Sequence, residues 1–357
     1  MRSALRKSVL FTLACASLGV GQAQIRPMFA RFPADTSVQT ASGTLPTWQG
    51  SFTYSSSTYP FTMVGTDPSL GSATTTVPVQ IIPLKFVFSD GTTLDPTANV
   101  CGGTSPATTM TVNSPVFQPT SYTVGRIGVG NTQYVDAFQR ANFWNSVSTT
   151  STDYHVLLGT PTIGAVQTIR VPGAFGSTIS GPCARIGEVN IFFFQLWLRL
   201  HIGSFSPNTL PLFLTYNTFF TEGGCCILGF HTAFGKAPNQ LTVAVAAYSD
   251  PGIFTATQIQ DIHALSHEIG EWMDDPLINN TVPGWSGGQV STCSTLLEVG
   301  DPVTGVGFPN GVTLNNYTYH PEDLVFLPWF SHTTPSTSAN AQYTFLGTYT
   351  SPPTVCN

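Results

Sequence analysis

Residues 263–275 read HALSHEIGEWMDD and place His267, Glu268 and Glu271 in the spacing H-E-x-x-E. Side chains four positions apart on a helix project side by side, so His267 and Glu271 can bind one metal ion. Zinc hydrolases use H-E-x-x-H for this purpose, and a carboxylate, which also ligates zinc, here replaces the second histidine. Glu268 has the position of a general base that takes a proton from an attacking water. The motif therefore predicts a metal-dependent hydrolase.

A helix must position this motif, and the apolar spacing over residues 259–275 predicts one. Its apolar residues form one continuous arc, which contains Ile259, Ile262, Leu265, Ile269, Trp272 and Met273. The opposite face carries acids and histidines without Lys or Arg, and a bound cation would relieve their repulsion. Thr257 and Gln260 form a candidate capping box, and Pro276 fits a stop just beyond the end. Gly270 inside the helix predicts close packing against a neighbour. The alternative is an ordinary surface helix with an acidic face.

A catalytic zinc needs a third protein ligand and an open position for water. Either Glu298 or Asp301 can supply that ligand from the tight turn of Glu298-Val299-Gly300-Asp301. The alternative for this segment is a solvated acidic turn. His231 is a candidate from a loop, whereas a ligand set that includes His263 would span more than two helical turns. Zn²⁺ is the expected cofactor, although carboxylate ligands make harder divalent ions more competitive.

The beginning of the chain predicts a secretory signal peptide over residues 1–23. Arg2, Arg6 and Lys7 precede an apolar stretch over residues 9–20, and small residues follow at the cleavage position. The expected location is therefore secreted, either extracellular or periplasmic. No later segment has the roughly 20 apolar residues of a membrane-spanning helix, so no membrane span is expected.

Six cysteines remain once such a leader is removed: Cys101, Cys183, Cys225, Cys226, Cys293 and Cys356. An even number in an exported chain predicts up to three disulfide bonds. The adjacent Cys225 and Cys226 are expected to pair with different partners rather than with each other. No C-x-x-C spacing occurs, so a cysteine zinc site is not expected.

The charge balance limits the classes of partner. Loss of the leader leaves nine of the 12 basic residues against 18 acidic ones. This argues against nucleic acid and anionic membrane surfaces as partners, and the expected partner is a peptide or protein substrate. Only 8% of the residues are charged while 12% are aromatic, which suits a β-rich exported protein with a core. The oligomeric state stays open.

The predicted fold class is α+β, with a β-rich N-terminal region at residues 24–150 and a metal-binding, candidate metallopeptidase region at residues 151–357. Hydrophobic patterning predicts a helix over residues 131–144 and strands over residues 77–88, 210–216 and 241–248. The most apolar stretch, residues 190–202, alternates with a period of two. That period predicts a further strand with one buried face.

Several segments share a pattern with a known family. They are Ser266-His267-Glu268-Ile269-Gly270-Glu271, Pro276-Leu277-Ile278-Asn279, Trp285, Glu298-Val299-Gly300-Asp301 and Gly229-Phe230-His231. Together they resemble the EXORDIUM-like (phosphate-induced protein) family of secreted proteins and related bacterial exported proteins with an H-E-x-x-E core. The resemblance covers residues 210–305 and implies a zincin-like metal site with an active-site helix, but no defined reaction. The family's cysteines stand elsewhere than Cys226 and Cys293, so no disulfide pairing is transferred.

A second class of function is an extracellular binding or signalling protein whose metal site is structural or inactive. An open coordination position that faces a cleft would distinguish a catalytic metal site from such a structural or inactive one. A glycosidase is excluded because Glu268 and Glu271, three positions apart on one helix, cannot flank a sugar bond. No spacing in the chain supports serine or cysteine catalysis.

Overall fold

The computed structural model describes residues 27–356, so the predicted signal peptide at residues 1–23 lies outside the described residues. The fold is a mixture of helices and strands, in agreement with the predicted α+β class. The strands are β1 (Thr47–Tyr54), β2 (Ser57–Val64), β3 (Thr74–Val77), β4 (Val79–Phe88), β5 (Thr93–Leu94), β6 (Thr120–Val124), β7 (Ile127–Thr132), β8 (His155–Leu158), β9 (Thr162–Ile163), β10 (Gln167–Val171), β11 (Gly176–Ser180), β12 (Arg185–Asn190), β13 (Leu210–Tyr216), β14 (Thr218–Thr221), β15 (Cys225–Ile227), β16 (Gly229–Phe234), β17 (Leu241–Tyr248), β18 (Thr281–Gly287), β19 (Val290–Leu296), β20 (Val312–Leu314) and β21 (Tyr317–Tyr319). The α-helices are α1 (Ala107–Val112), α2 (Tyr134–Asn142), α3 (Trp144–Val147), α4 (Ile191–His201), α5 (His263–Asp274) and α6 (Leu327–Phe330).

The largest sheet has seven strands in the order β10-β4-β13-β17-β16, with β5 and β9 also paired to β4. Strands β10, β4, β13 and β17 run parallel, and β16 joins antiparallel to β17. Every residue of β13 and β17 is buried, which explains why their sequences are apolar without alternation. Since β4 and β13 pair across residue 150, the two predicted regions share this sheet. The predicted boundary does not separate two sheets.

Helices α4 and α5 cover opposite faces of this sheet. Along β17, Ala244 belongs to the same hydrophobic cluster as Ile269 of α5. The next residue, Val245, belongs to a second cluster with Phe194 of α4. Because successive strand residues point to opposite faces, the sheet lies between the two helices. One face of the sheet is thus available to position the motif helix.

The strand predicted over residues 190–202 is wrong, because this stretch forms α4. Nearly every residue in it is apolar, so a period of two fits the sequence as well as a helical period does. The side chain of Asn190 accepts a hydrogen bond from the Phe193 amide at 3.1 Å and caps the helix. This local cap, rather than the periodicity, identifies the helix.

The other predicted elements are confirmed, except that the range 77–88, predicted as one strand, is interrupted at Pro78. The predictions over residues 210–216 and 241–248 coincide with β13 and β17. Helix α2 occupies most of the predicted range 131–144. The range 77–88 contains the last residue of β3 and all of β4.

Helix α5 carries the motif but begins later than expected, at His263, and ends before Pro276 as predicted. The predicted cap by Thr257 and Gln260 is wrong, because the N-cap residue is Ile262 and no side chain caps the helix. A Cβ at Gly270 would lie 2.6 Å from Leu324, which confirms the expected close packing and identifies the neighbour. Every residue of α5 is buried, so its polar face is not a surface.

The cysteines form the pairs Cys101–Cys183, Cys225–Cys226 and Cys293–Cys356. The expectation that Cys225 and Cys226 have different partners is wrong. The fold brings the other four cysteines together in two pairs. Cys225 and Cys226, neighbours in β15, therefore pair with each other. Among residues 27–356, no helix is both long and apolar enough to span a membrane.

Candidate metal centre

Four parts of the chain bring imidazoles and carboxylates together against the polar face of α5. They contribute His267, Glu268 and Glu271 from α5, Glu298 and Asp301 from the turn that follows β19, His231 from β16, and Glu322 from the segment after β21. Each of these side chains is at most 2% exposed. Burying so many ionisable groups together is costly unless a cation or protons neutralise them.

Three of the predicted ligands converge. His267 Nε2 lies 3.1 Å from Glu271 Oε1 and 3.7 Å from Asp301 Oδ1. These three atoms lie within 4.8 Å of one another, close enough for all to bind one metal ion. The backbone amides of Gly300 and Asp301 both donate to Glu271 Oε1 at 3.2 Å, which holds the turn against the helix.

Glu298, the other predicted third ligand, belongs to neither of the two groups of candidate ligands that the structure brings together. Its Oε2 is 4.0 Å from Nε2 of His231, and no hydrogen bond to it is formed within residues 27–356. His231 was expected in a loop. It belongs instead to strand β16. Together with Glu268 and Glu271 it forms a second group of candidate ligands, so Glu271 is shared between two groups.

Glu268 and His231 form a pair that can hold a proton. His231 Nδ1 lies 3.2 Å from Glu268 Oε2, and His231 Nε2 lies 3.2 Å from the carbonyl oxygen of Asp275. Burial lowers the pKa of His231 to about 3 and raises the pKa of Glu268 well above its usual value. A neutral His231 therefore donates its Nε2–H to Asp275, and a protonated Glu268 donates to Nδ1.

Glu322 orients the ring of His267. Its Oε2 accepts a hydrogen bond from His267 Nδ1, which leaves the Nε2 lone pair directed at Glu271 and Asp301. Its Oε1 lies 3.1 Å from Nε2 of His263, so His263 belongs to the surroundings of the candidate ligands rather than to the ligands themselves. Sequence reasoning did not find Glu322.

The cluster is rich in carboxylates and poor in cations. Burial raises the pKa of Glu271 and that of Glu322 to about 7. Burial and the neighbouring carboxylates raise the pKa of Glu298 and that of Asp301 well above the usual range. Arg31 lies 3.3 Å from Asp301 and is the one Lys or Arg within residues 27–356 that pairs with these acids.

The donor set fits a divalent metal ion. His267 Nε2, Glu268 Oε1 and both oxygens of Glu298 are buried without a hydrogen-bond partner among the described residues. Leaving such atoms unpaired is costly, and a bound cation would satisfy them. Imidazole with carboxylates suits zinc, and the carboxylates also suit harder ions such as Mn²⁺ or Ca²⁺. The chemistry of the donors thus indicates a metal without selecting one.

Two glycines allow the backbone to approach the motif closely. A Cβ on Gly300 would lie 2.3 Å from His267 Nδ1, and a Cβ on Gly229 would lie 2.8 Å from Cγ of Glu268. Any larger residue at either position would displace the side chain it meets. Both glycines therefore serve the geometry of the site.

An aromatic ring closes the cluster from the remaining side. Phe29 stacks on His267 with ring centroids 3.5 Å apart and an interplanar angle of 14°. Its backbone is bound by the side chain of Gln289, which also donates to Asp301. No periodicity or motif in the sequence pointed to Phe29 or to Gln289.

No family model, curated protein or solved structure matches this chain. What the cluster can do must therefore be inferred from its own geometry and donor atoms. Those atoms can bind a divalent cation, and they place a proton-holding carboxylate, Glu268, beside it.

Proposed function

We propose that this protein is a secreted metal-dependent hydrolase, a zinc peptidase whose metal is held by His267, Glu271 and Asp301. The observation that carries this proposal is the convergence of one imidazole nitrogen and two carboxylate oxygens within 4.8 Å of one another. Three protein ligands with room for a further one are what a catalytic zinc requires. The predicted leader and the paired cysteines support export to an oxidising compartment.

In this proposal Glu268 is the general base: the charge of the bound metal ion would favour the ionised form of Glu268, which can then accept a proton. When bound, the metal ion would polarise the peptide carbonyl and stabilise the negative charge that develops on its oxygen. Glu268 accepts a proton from water as the water oxygen bonds to the carbonyl carbon. It then gives that proton to the departing nitrogen as the C–N bond breaks, so that one acid and one amine are formed. His231 orients the Glu268 carboxyl through the 3.2 Å contact.

The zincin-like character of the site stays part of this proposal. It is supported by the motif, by its placement on a helix and by the resemblance to EXORDIUM-like proteins described above. The carboxylate-rich donor set weakens the metal as a Lewis acid compared with a set of histidines, and it makes Mn²⁺ or Ca²⁺ competitive with Zn²⁺. Zinc is proposed because of the His267 nitrogen.

A structural or inactive metal site in an extracellular binding or signalling protein is the second candidate. One observation favours it: the candidate ligands are at most 2% exposed, whereas a catalytic metal must be reached by water and substrate. The two candidates differ in whether hydrolysis depends on Glu268.

The test is a comparison of the wild-type protein with Glu268→Gln, with Glu222→Gln as a control at an exposed position. Elemental analysis measures the bound metal, and a broad peptide-cleavage screen is run with and without chelator. We expect both variants to bind metal, and Glu268→Gln to lose activity by about 10²-fold or more. Full activity of Glu268→Gln would remove Glu268 from its role. Metal binding without any cleavage, including after the treatment described below, would favour the structural candidate.

A further inference from the structure

Residues 28–35, here called the cover segment, lie along the free edge of the seven-stranded sheet. They pair in parallel with the strands β15 and β16, through bridges of Met28 with Ile227 and of Asp35 with Phe234. The amide of Met28 donates to the carbonyl of Cys226 at 2.9 Å, and its carbonyl accepts from Leu228 at 2.9 Å. The cover segment therefore binds this edge through its main chain.

The opposite edge of the cover segment is also bound. The side chain of Gln289, in the turn between β18 and β19, accepts from the Phe29 amide at 2.6 Å and donates to the Phe29 carbonyl at 3.1 Å. The next residue, Ala30, turns back to the sheet and donates to the Gly229 carbonyl at 3.1 Å. An extended chain is thus held from both sides through groups that every peptide has.

This chain passes directly over the candidate metal centre. The ring of Phe29 stacks on His267, and Arg31 lies 3.3 Å from Asp301. Glu268 packs against Gly229, whose carbonyl accepts from Ala30, so the proposed general base lies beside the same main chain. The cover segment therefore occupies the position from which a peptide bond could reach Glu268.

The cover segment also contacts two of the candidate metal ligands, where it would compete with a metal ion and a substrate. The Arg31 guanidinium pairs with Asp301, and the Phe29 ring covers His267, which is 0% exposed. The other groups around His267 belong to the core helix α5, to the anchored turn at Gly300 and, through Glu322, to the segment after β21. The cover segment lies at the edge of the sheet and pairs with it through isolated bridges, so its removal would expose the cluster without dismantling the sheet.

From these contacts we infer that the cover segment is an intramolecular inhibitor occupying the site where an extended polypeptide substrate binds. This inference rests on the proposed function. The substrate binds with its main chain between β16 and Gln289. It carries an aromatic or large apolar side chain at the position of Phe29 and a basic side chain at the position of Arg31. The site works once the cover segment has left it.

The first test weakens the cover segment within the full-length protein. Phe29→Ala and Arg31→Ala are loaded with zinc, and the rate at which a chelator removes the zinc is measured. The matched controls are Phe175→Ala, whose exposed ring stacks on Phe193 of α4, and Arg126→Ala, which is also exposed. We expect zinc loss to accelerate about tenfold or more in the first two variants only. Equal rates in all four proteins, with unchanged melting temperatures, would overturn the inference.

The second test releases the cover segment. A site for a sequence-specific protease is inserted between Ala41 and Ser42, which are both exposed. After cleavage, a labelled synthetic peptide of residues 27–36 is titrated back, and binding is followed by fluorescence anisotropy. We expect the peptide to bind the cleaved, zinc-loaded protein and to inhibit peptide hydrolysis competitively. Replacement of Phe29 or Arg31 in the peptide should weaken binding about tenfold or more.

A variant of Gln289 separates main-chain recognition from side-chain recognition. Gln289→Glu can still accept from a peptide amide but cannot donate to a carbonyl. It should therefore weaken the binding of all extended peptides, whatever their sequence. Because Gln289 also donates to Asp301, the peptides are titrated at saturating zinc and the zinc content of the variant is measured. Weakened binding of the residue 27–36 peptide alone would contradict a main-chain site.

Failure of this inference can be told from failure of the proposed function. Suppose that the peptide binds and that zinc exchanges faster after cleavage, but that no peptide is hydrolysed. This result would support the binding site and overturn the proposed peptidase activity. Hydrolysis that neither rises on cleavage nor falls on addition of the peptide would support the peptidase and overturn the inference.

Discussion

Glu322 accepts a hydrogen bond from Nδ1 of His267, 55 residues earlier in the chain, and so fixes which nitrogen of that ring faces the carboxylates. The amide of Glu322 in turn donates to the hydroxyl of Ser266 at 2.9 Å. Partners of this kind orient metal-binding histidines and increase their basicity. Although Glu322 is not a candidate ligand, the ligand position of His267 depends on it.

Replacement of Glu322 by Gln should therefore weaken metal binding while the fold is kept. The neutral amide has nearly the same shape but stabilises the His267 tautomer less well. We expect zinc affinity to fall about 10- to 100-fold, as measured by competition with a chromophoric chelator. Glu222→Gln, at an exposed position, is the matched control and should bind zinc normally. Unchanged affinity in Glu322→Gln would show that His267 is oriented without it.

The third ligand can be identified by comparing Asp301→Asn with Glu298→Gln. Asp301 Oδ1 lies 3.7 Å from His267 Nε2, whereas Glu298 is in neither group of candidate ligands and its Oε2 lies 4.0 Å from His231 Nε2. We expect Asp301→Asn to lower zinc affinity more than about 100-fold, and Glu298→Gln to lower it less than about tenfold. Glu298→Gln should also raise the melting temperature of the metal-free protein, because it removes a buried carboxylate without a partner. The reverse order of affinities would make Glu298 the ligand.

Gly300 should not tolerate alanine. Its backbone angles, φ −90° and ψ −36°, suit any residue, so the effect comes from contact alone. The new methyl group would lie 2.3 Å from His267 Nδ1 and displace the ring. We expect a destabilisation of about 1–3 kcal/mol in denaturant unfolding, together with loss of zinc affinity. Gly128→Ala is the control, since no atom lies within 4 Å of its Cβ position. Normal zinc binding by Gly300→Ala would contradict the close approach.

The metal-free protein should lose stability as the pH rises toward and through about 7. The pKa values of Glu271 and Glu322 are raised to about 7, so the folded state keeps protons that the unfolded chain has already released. Stability therefore falls as the pH rises through about 7. His231 has its pKa lowered to about 3, and its contribution is already complete above its ordinary value of 6.5. Arg31 is the cation that faces these acids.

Thermal unfolding between pH 6.5 and about 8.5, with chelator or with saturating zinc, measures this effect. The melting temperature should fall with rising pH in chelator, and zinc should reduce that fall because it replaces the protons on the carboxylates. A melting temperature that rises with pH in chelator would contradict the arrangement of buried acids.

The sequence predicts those residues of the site that are related by helical spacing or by a short turn. Helix α5 and the candidates Glu298 and Asp301 follow from such local rules. Glu322 and His231 do not, because tertiary packing brings them to the helix over separations of 55 and 37 residues. One signal was present for Glu322: it stands with another acid directly before the apolar residues 324–330, which is an unusual place for solvated charges.

The fold shows the same division. Strands β13 and β17 follow from short apolar runs, which are typical of buried strands. In α4 both periodicities fit, and a single capping side chain, Asn190, decides the outcome. The sharing of the large sheet by both predicted regions follows from the pairing of β4 with β13, which no local pattern encodes.

The bond between Cys293 and Cys356 fastens β19 to the last described part of the chain, a short distance from the turn that carries Gln289. That turn is therefore held at its base by the disulfide bond and at its tip by the hydrogen bonds of Gln289 to Phe29 and Asp301. Reduction of the bond would loosen the base of the turn, although every group that contacts His267 would stay in place. An oxidising environment is thus a condition for a firm hold on an extended chain.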